Sequence, residues 1–193
     1  MENYLKRFLC IGYMIDFVTN KELLNLNKEF GFKKFYEVKI HKLERNEDFK
    51  NLKDEIKVVE PNENTLRRCF ETQGIDIILG IEKIEEKDSL HQRNSGLNQV
   101  LCNLAKKNNI SIGISFNDIL YSANRGELLG RIMQNMVLCK KYKVNVVFAS
   151  FAKEKYDLRL RNDLEAFAKV IGIDKFENAK VFKLKDFTDI KVI

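Results

Sequence analysis

Residues 75–115 read IDIILGIEKIEEKDSLHQRNSGLNQVLCNLAKKNNISIGIS, and the order of patterns within them decides the fold. IDIILGIE is almost entirely apolar, as a strand covered on both faces would be. From RNSGLNQVL onward, Leu97, Val100, Leu101, Leu104 and Ala105 repeat at the i, i+3, i+4, i+7, i+8 spacing of one helix face. Ser95 suits the N-cap, and Lys106 and Lys107 suit the helix C-terminus, where cations meet the dipole. ISIGIS then alternates Ile110, Ile112 and Ile114 with Ser111, Gly113 and Ser115, so one side meets helices and the other a crowded interior. Buried strand, amphipathic helix, buried strand is the unit of a parallel sheet. Capping and periodicity together leave Arg93, Asn94 and Asn98 without a structural reason.

The same alternation runs outward in both directions. FLCIGYMI (8–15) predicts a first strand, and TNKELLNLNKEFG (19–31) a helix with capping-box spacing at Thr19 and Glu22 and Gly31 to close it. FKKFYEVKI (32–40) predicts a second strand and IKVVE (56–60) a third, with a polar loop between them. Pro61 begins the turn into the helix ENTLRRCFETQ, which Gly74 ends. Beyond ISIGIS, GELLGRIMQNMVLCKKYK (126–143) predicts a long helix with a buried stripe of Leu129, Ile132, Met133, Met136 and Val137, leaving Arg131, Lys140 and Lys141 to project elsewhere. NVVFASF (145–151) reads as another buried strand, RNDLEAFAKVIG (161–172) as another capped helix, and the segment from Ile173 has no decisive pattern. Six βα-like units predict a parallel α/β protein with right-handed crossovers. An eight-stranded barrel usually takes ~250 residues, so a barrel in 193 residues would be short, irregular or incomplete.

That length fits one domain, spanning residues 1–193. With 45% hydrophobic and 32% charged residues, the composition is neither that of a disordered chain nor that of a membrane protein. No apolar run approaches the ~18–20 residues that span a bilayer, and acidic Asp16 interrupts the only apolar stretch near the start. Cys10, Cys69, Cys102 and Cys139 are widely spaced and form no C-x-x-C pair, which predicts buried, reduced thiols in a cytoplasmic protein. The net charge of +6 is unevenly placed, because residues 91–161 hold 12 basic and 4 acidic side chains while residues 1–90 hold 16 and 18. Five of the nine arginines, Arg93, Arg125, Arg131, Arg159 and Arg161, fall in that basic segment. Such a concentration favours an anionic partner, nucleic acid first.

Catalytic signatures are missing. There is no P-loop, no dinucleotide-binding glycine pattern, no G-x-S-x-G and no paired histidines. His41 and His91 stand on separate polar segments and read as solvated surface residues. Asp16, Asp76, Glu82 and Asp118 lie at or near predicted strands, yet no convergent ligand pattern for metal-assisted hydrolysis accompanies them.

From RNSGLNQVLCNLAKKNNISIGISFNDIL, through LCKKYKVNVVFAS, to DLRLRNDLEAFAKVIG, the chain resembles protein component 3 of archaeal and eukaryotic ribonuclease P. The resemblance covers roughly residues 75 to 175. It implies an irregular TIM-like barrel related to polymerase-and-histidinol-phosphatase (PHP) phosphoesterases, without that superfamily's metal-binding histidines. This sequence agrees, since no H-x-H follows its first strand. It implies a protein subunit that supports the catalytic RNA removing the 5′ leader of precursor tRNA, in company with protein component 2 and the other protein subunits. The RNA would do the chemistry and use magnesium; the protein would bind no cofactor and carry no catalytic residue. Residues matching the motifs are Arg93, Asn94, Ser95, Asn98, Ser115, Arg125, Arg131, Asn135, Lys140, Lys141, Ser150, Arg159 and Asp163. Of these, Arg93, Asn94, Asn98, Arg125, Arg131, Lys140, Lys141 and Arg159 are the expected RNA contacts, with Arg93 beside the helix N-terminus and Asn98 one turn inside on its polar face. Gly96, Leu97 and Leu101 are expected to pack. The chain departs from the pattern at Phe151, where a small residue would be expected, and in having no proline before Asn162. Two other classes compete with the RNA-binding subunit: a PHP-type metal-dependent phosphoesterase, and a protein-binding scaffold whose basic patch meets an acidic partner.

Overall fold

A computed structural model describes residues 15–45, 49, 52–84, 88 and 93–173. Cys10, His91, the expected strand FLCIGYMI before Ile15 and the segment after Ile173 lie outside them. The described residues form seven parallel strands: β1 (Ile15–Val18), β2 (Lys34–Glu37), β3 (Ile40–Leu43), β4 (Val58–Pro61), β5 (Ile77–Leu79), β6 (Ser111–Ser115) and β7 (Val146–Ala149). Five helices lie among them: α1 (Glu63–Glu71), α2 (Gln99–Asn108), α3 (Phe116–Tyr121), α4 (Arg125–Tyr142) and α5 (Arg161–Val170). β1 pairs with β2, and β3 through β7 pair in sequence order.

Two joints turn these two sheets into an irregular TIM-like barrel. The first is a bend. FKKFYEVKI does not form one strand, because the chain changes partner at Val38 and Lys39: β2 follows β1, while β3 follows β4. The expected polar loop after it therefore starts late, since β3 runs on through Leu43. The second is a seam between β7 and β1. There the Phe151 amide donates to the Phe17 carbonyl (2.8 Å), the Thr19 amide to the Ala152 carbonyl (2.9 Å), and the Ser150 amide to Oδ1 of Asp16 (2.7 Å). A parallel bridge pairs Val18 with Ala152.

Strand alternation sorts the core into two clusters. Ile15, Phe17, Val58, Ile77, Leu79, Val147, Ala149 and Phe151 pack together inside the ring. Val18, Phe35, Val59, Ile78, Ile112, Ile114 and Phe148 face outward and meet Cys69, Phe70, Leu101, Ala105, Ile132 and Leu164 from the helices. Gly113 belongs to the inward set, where an added Cβ would lie 2.5 Å from both Ile77 Cγ2 and Leu79 Cδ2. The crowding predicted from ISIGIS is thus real, and it explains why β6 turns its small residues inward.

Several helix boundaries differ from expectation. The segment after β1 is a 3-10 helix, Lys21–Leu26, capped by Asn20 rather than Thr19. α2 starts at Gln99, four residues beyond Ser95, and its cap is Asn98, whose Oδ1 accepts the Leu101 amide (3.0 Å). The cause lies in Gly96, whose φ of +75° lays residues 93–97 directly over Ile81; an added Cβ there would come 2.4 Å from the Ile81 carbonyl oxygen. Gly96, Leu97 and Leu101 are packing residues, as expected. α4 buries Leu128, Arg131, Ile132, Asn135, Met136 and Cys139, whereas Met133 (40%) and Val137 (68%) of the predicted stripe are exposed. α5 has no side-chain cap, because the Phe30 carbonyl accepts the Arg161 amide (2.9 Å) instead. Cys69, Cys102 and Cys139 are buried free thiols, with burial pushing them up to about 12, 11 and 12. No helix among the described residues is long and apolar enough to cross a membrane.

The seam carries a titratable group. Burial pushes the Asp16 carboxyl from its ordinary 3.8 up to about 6, despite the amides of Ser150 and Phe17 on Oδ1. Folding therefore favours the protonated carboxyl, and the stability linked to that proton is complete below pH ~4 and lost as pH rises through ~6. Asp16→Asn keeps an oxygen acceptor and carries no charge. Its melting temperature should gain on the wild type as pH is raised from 4 to 7.5, whereas Asp16→Ala should cost about 1–3 kcal/mol across that range, because two buried amides lose their acceptor.

Candidate RNA interface

The C-terminal ends of the strands form the barrel mouth, the rim where functional groups gather in such folds. A cavity of about 660 Å³ opens there, bordered by Lys39, Lys42, Lys153, Lys83, Glu60 and Asp118. Of the four acids that line it, Glu37, Asp54, Glu60 and Asp118, the last three are already paired. Lys83 Nζ donates to Glu60 Oε1 (2.5 Å) and to Asp118 Oδ2 (2.7 Å), while Asp54 pairs with His41. Burial opposes the Lys83 charge, but the two carboxylates outweigh it and hold its pKa above the ordinary lysine value. His41 is consequently a half-buried partner of Asp54, not a freely solvated residue. Next to Lys83, burial pushes Glu82 up to about 7.

These residues do not fit the metal centre of a phosphoesterase. An ammonium already stands between Glu60 and Asp118, where a cation would have to sit, and Asp16 is committed to the seam. Among the described residues no group of three or more His, Cys, Asp or Glu side chains is arranged to hold a metal ion.

Beside the mouth, α3 and the loop after β7 form a second surface. Ser115 caps α3 by accepting the Asp118 amide (3.1 Å). The loop turns through a short 3-10 helix, Lys155–Asp157, whose Asp157 accepts the amides of Lys153 (2.9 Å) and Glu154 (3.0 Å) and the Tyr121 hydroxyl (2.6 Å). Burial opposes the Asp157 charge, but these donors prevail and hold its carboxyl below the ordinary range. Phe151, the departure from the family pattern, begins this loop with a φ of +48°. A bulky residue there costs about 1–2 kcal/mol. Burial of its ring against Phe17, with centroids 6.1 Å apart, offsets that.

The eight expected RNA contacts separate into groups. Arg125 and Arg159 lie at the rim: Arg125 donates to the carbonyls of Ile119 (3.0 Å) and Leu120 (2.7 Å), and Arg159 to those of Tyr156 and Leu158 (both 2.7 Å), with its guanidinium 5.6 Å from the Phe116 ring centroid. Arg93 is exposed and lies across α4 at Gly130, where an added Cβ would meet its Nη1 at 1.6 Å. The Asn94 amide donates to Asp88 Oδ1 (2.8 Å). Asn98 is the α2 cap rather than a residue one turn inside the helix. Lys140 and Lys141 are exposed in the last turn of α4, which places Lys141 roughly 24 Å along the helix from Arg125 at 1.5 Å per residue. Those lysines face the opposite rim.

Arg131 overturns its expected place. It is 4% exposed and donates to Asp88 Oδ1 (2.8 Å), Glu127 Oε1 (2.6 Å) and the Glu82 carbonyl (3.2 Å). Asn135, one turn on, donates to the Ser95 carbonyl (2.9 Å). Arg131 fastens Glu82 and Asp88 to α4, Asn135 fastens Ser95, and both side chains are buried. Sequence reading also missed Tyr121 and Tyr156 at the rim. The available signal was an aromatic residue inside the polar run AKEKYDLRLR, where no apolar face calls for it.

Fold and rim together define a TIM-like parallel barrel with no metal-ligand cluster among its described residues and a basic, aromatic surface beside the mouth. The sequence pattern of the family described as RNase P subunit p30 matches residues 38–183. Ribonuclease P protein component 3 of Methanosarcina acetivorans is 33% identical over 131 residues, 67% of this chain and 52% of that protein. The component of the same name from Methanocaldococcus jannaschii is 28% identical over 129 residues, 64% and 52% of the two. This chain therefore spans about half the length of these relatives. A chain in a cryo-EM structure of archaeal ribonuclease P with mature tRNA has the same fold, with a TM-score of 0.58 at 20% identity, covering 96% of this chain and 84% of that one. The chain belongs to the RNase P subunit p30 family.

Arg131 and Lys140 separate structure from surface. Arg131→Ala leaves Asp88 and Glu127 without their shared cation and should cost about 3–5 kcal/mol in denaturant unfolding. Lys140→Ala should stay within about 0.5 kcal/mol of wild type. Equal stabilities for the two variants would refute the assignment of Arg131 to the interior.

Proposed function

We propose that this chain is a protein subunit of ribonuclease P and supports the catalytic RNA that removes the 5′ leader of precursor tRNA. The family match across residues 38–183 carries the reading. The chemistry of the chain supports it: the four acids lining the mouth are matched by four lysines, while arginines and lysines on the outside face solvent. Such a surface positions phosphates without performing hydrolysis. Its partners in this reading are the RNase P RNA, protein component 2 and the other protein subunits, with precursor tRNA as the substrate of the assembly in the cytoplasm. The protein brings no cofactor, and magnesium serves the RNA.

Arg93, Asn94, Arg125, Arg159, Lys140 and Lys141 remain the RNA contacts in this proposal, whereas Arg131 acts by holding the loop that carries Arg93 and Asn94. Asn98 contributes by starting α2 at the right place.

Cleavage of precursor tRNA by RNase P RNA with its other protein subunits should rise when this chain is added at physiological salt, and the chain with magnesium alone should leave precursor tRNA intact. Binding to the RNA should weaken with salt, with a slope in log K against log salt of about −0.7 for each single-strand phosphate neutralised. Cleavage that is indifferent to the chain would overturn the reading, and cleavage by the chain without RNA would replace it with an enzymatic one.

A further inference from the structure

Tyr121 and Tyr156 are unusual for large aromatic residues in being 68% and 84% exposed. Neither is loosely held. Tyr121 is fixed by its hydroxyl on Asp157 Oδ1, and Tyr156 sits in the 3-10 turn that the same Asp157 organises through the amides of Lys153 and Glu154. Asp157 itself is buried, so one carboxylate holds the Tyr121 hydroxyl and the backbone turn that carries Tyr156, while both side chains stay exposed. The Tyr156 carbonyl is held in addition by Arg159 Nη1 at 2.7 Å.

Cations surround the rings. The run from Lys153 to Arg161 holds Lys153, Lys155, Arg159 and Arg161 against Glu154 and Asp157, and Arg125 closes the surface at the start of α4. Asp157 keeps its negative charge among neutral donors and holds the Tyr121 phenol above the ordinary tyrosine value, so the basic character of the surface rests on the excess of four cations over two acids in the run, with Arg125 added. Rigid aromatic faces interleaved with cations suit a strand whose bases are unpaired and whose phosphates follow the same path. Tyrosine and arginine also mark protein interfaces, but lysine is depleted there, whereas this surface carries Lys153 and Lys155. Resting on the reading of the chain as an RNA-binding subunit, we propose that Tyr121 and Tyr156 form a stacking platform for unpaired nucleotides, flanked by Arg125, Lys153, Lys155 and Arg159 as phosphate contacts.

The chain contains no tryptophan and six tyrosines, so tyrosine emission reports stacking directly. The full chain is titrated with a single-stranded oligoadenylate of 12 nucleotides and, separately, with a 12-base-pair RNA duplex. Oligoadenylate should quench the emission, and Tyr156→Ala should weaken its binding about 5- to 100-fold, the loss of one stacked base. Tyr156→Phe should bind as wild type, and duplex binding should be unchanged by either substitution. Tyr121→Ala should weaken oligoadenylate binding in the same direction, with circular dichroism confirming that it folds. Wild-type affinity in Tyr156→Ala, or an equal loss for duplex and single strand, overturns the platform. So does a Tyr156→Ala variant that binds RNA normally but no longer joins the other protein subunits, since the surface would then be a protein contact. A chain that stimulates reconstituted cleavage without binding oligoadenylate overturns the platform and leaves the proposed function standing. Failure in both assays overturns the function itself.

Discussion

The barrel depends on how its last strand meets its first. A sheet of parallel strands leaves a row of unpaired amides and carbonyls on each edge, and closure is the way to remove both edges at once. Here the ladder closes through Phe151 to Phe17 and Thr19 to Ala152, with a carboxylate substituting for a backbone acceptor at Ser150. That substitution places a buried acid in the seam and makes closure sensitive to protonation. It also fixes the loop after β7, because Ser150, Phe151 and Ala152 belong to the seam and the rim turn starts at the next residue. The left-handed backbone of Phe151 is the local strain of making both connections in three residues.

A second constraint orders the other side of the molecule. Between β5 and α2, the described residues Glu82, Asp88 and Ser95 are each bonded to side chains of α4. Arg131 binds a backbone carbonyl and two carboxylates from within α4. An isolated buried guanidinium would be costly, and this one is tolerated because each of its three nitrogens donates to an acceptor. Arg93 completes the arrangement by lying over Gly130, the one place on α4 where the absence of a side chain leaves room for it.

The rim thus divides into two parts of different character. The mouth is balanced over its whole lining, four lysines against four acids, with Lys83 shared between Glu60 and Asp118. The flank beside it carries Arg125, Arg159 and the loop lysines with acids that are either buried or already bonded. Charge placement, more than total charge, separates a surface for holding an anion from a pocket for reacting with one.

Sequence by itself determined the class of the fold and the absence of catalytic motifs. The alternation of buried strands with amphipathic helices, the inward small residues of ISIGIS and the short chain length all pointed to an irregular parallel barrel, because periodicity and covering of both faces are local properties of a strand or helix. The motif resemblance pointed to the family on the same stretch. Tertiary structure alone decided which cations are free. Arg131 looked like an exposed residue of a basic helix, and only Glu127 among its acceptors lies at a helical spacing; the other two lie 43 and 49 residues away, beyond any helical period. The position of the α2 cap was set by Gly96 packing on Ile81, and the division of FKKFYEVKI between two sheets by partners on either side of the bend. The pairing of Tyr121 with the turn that carries Tyr156 came from one buried aspartate, whose contact with the Tyr121 hydroxyl is made across 36 residues and follows no spacing rule.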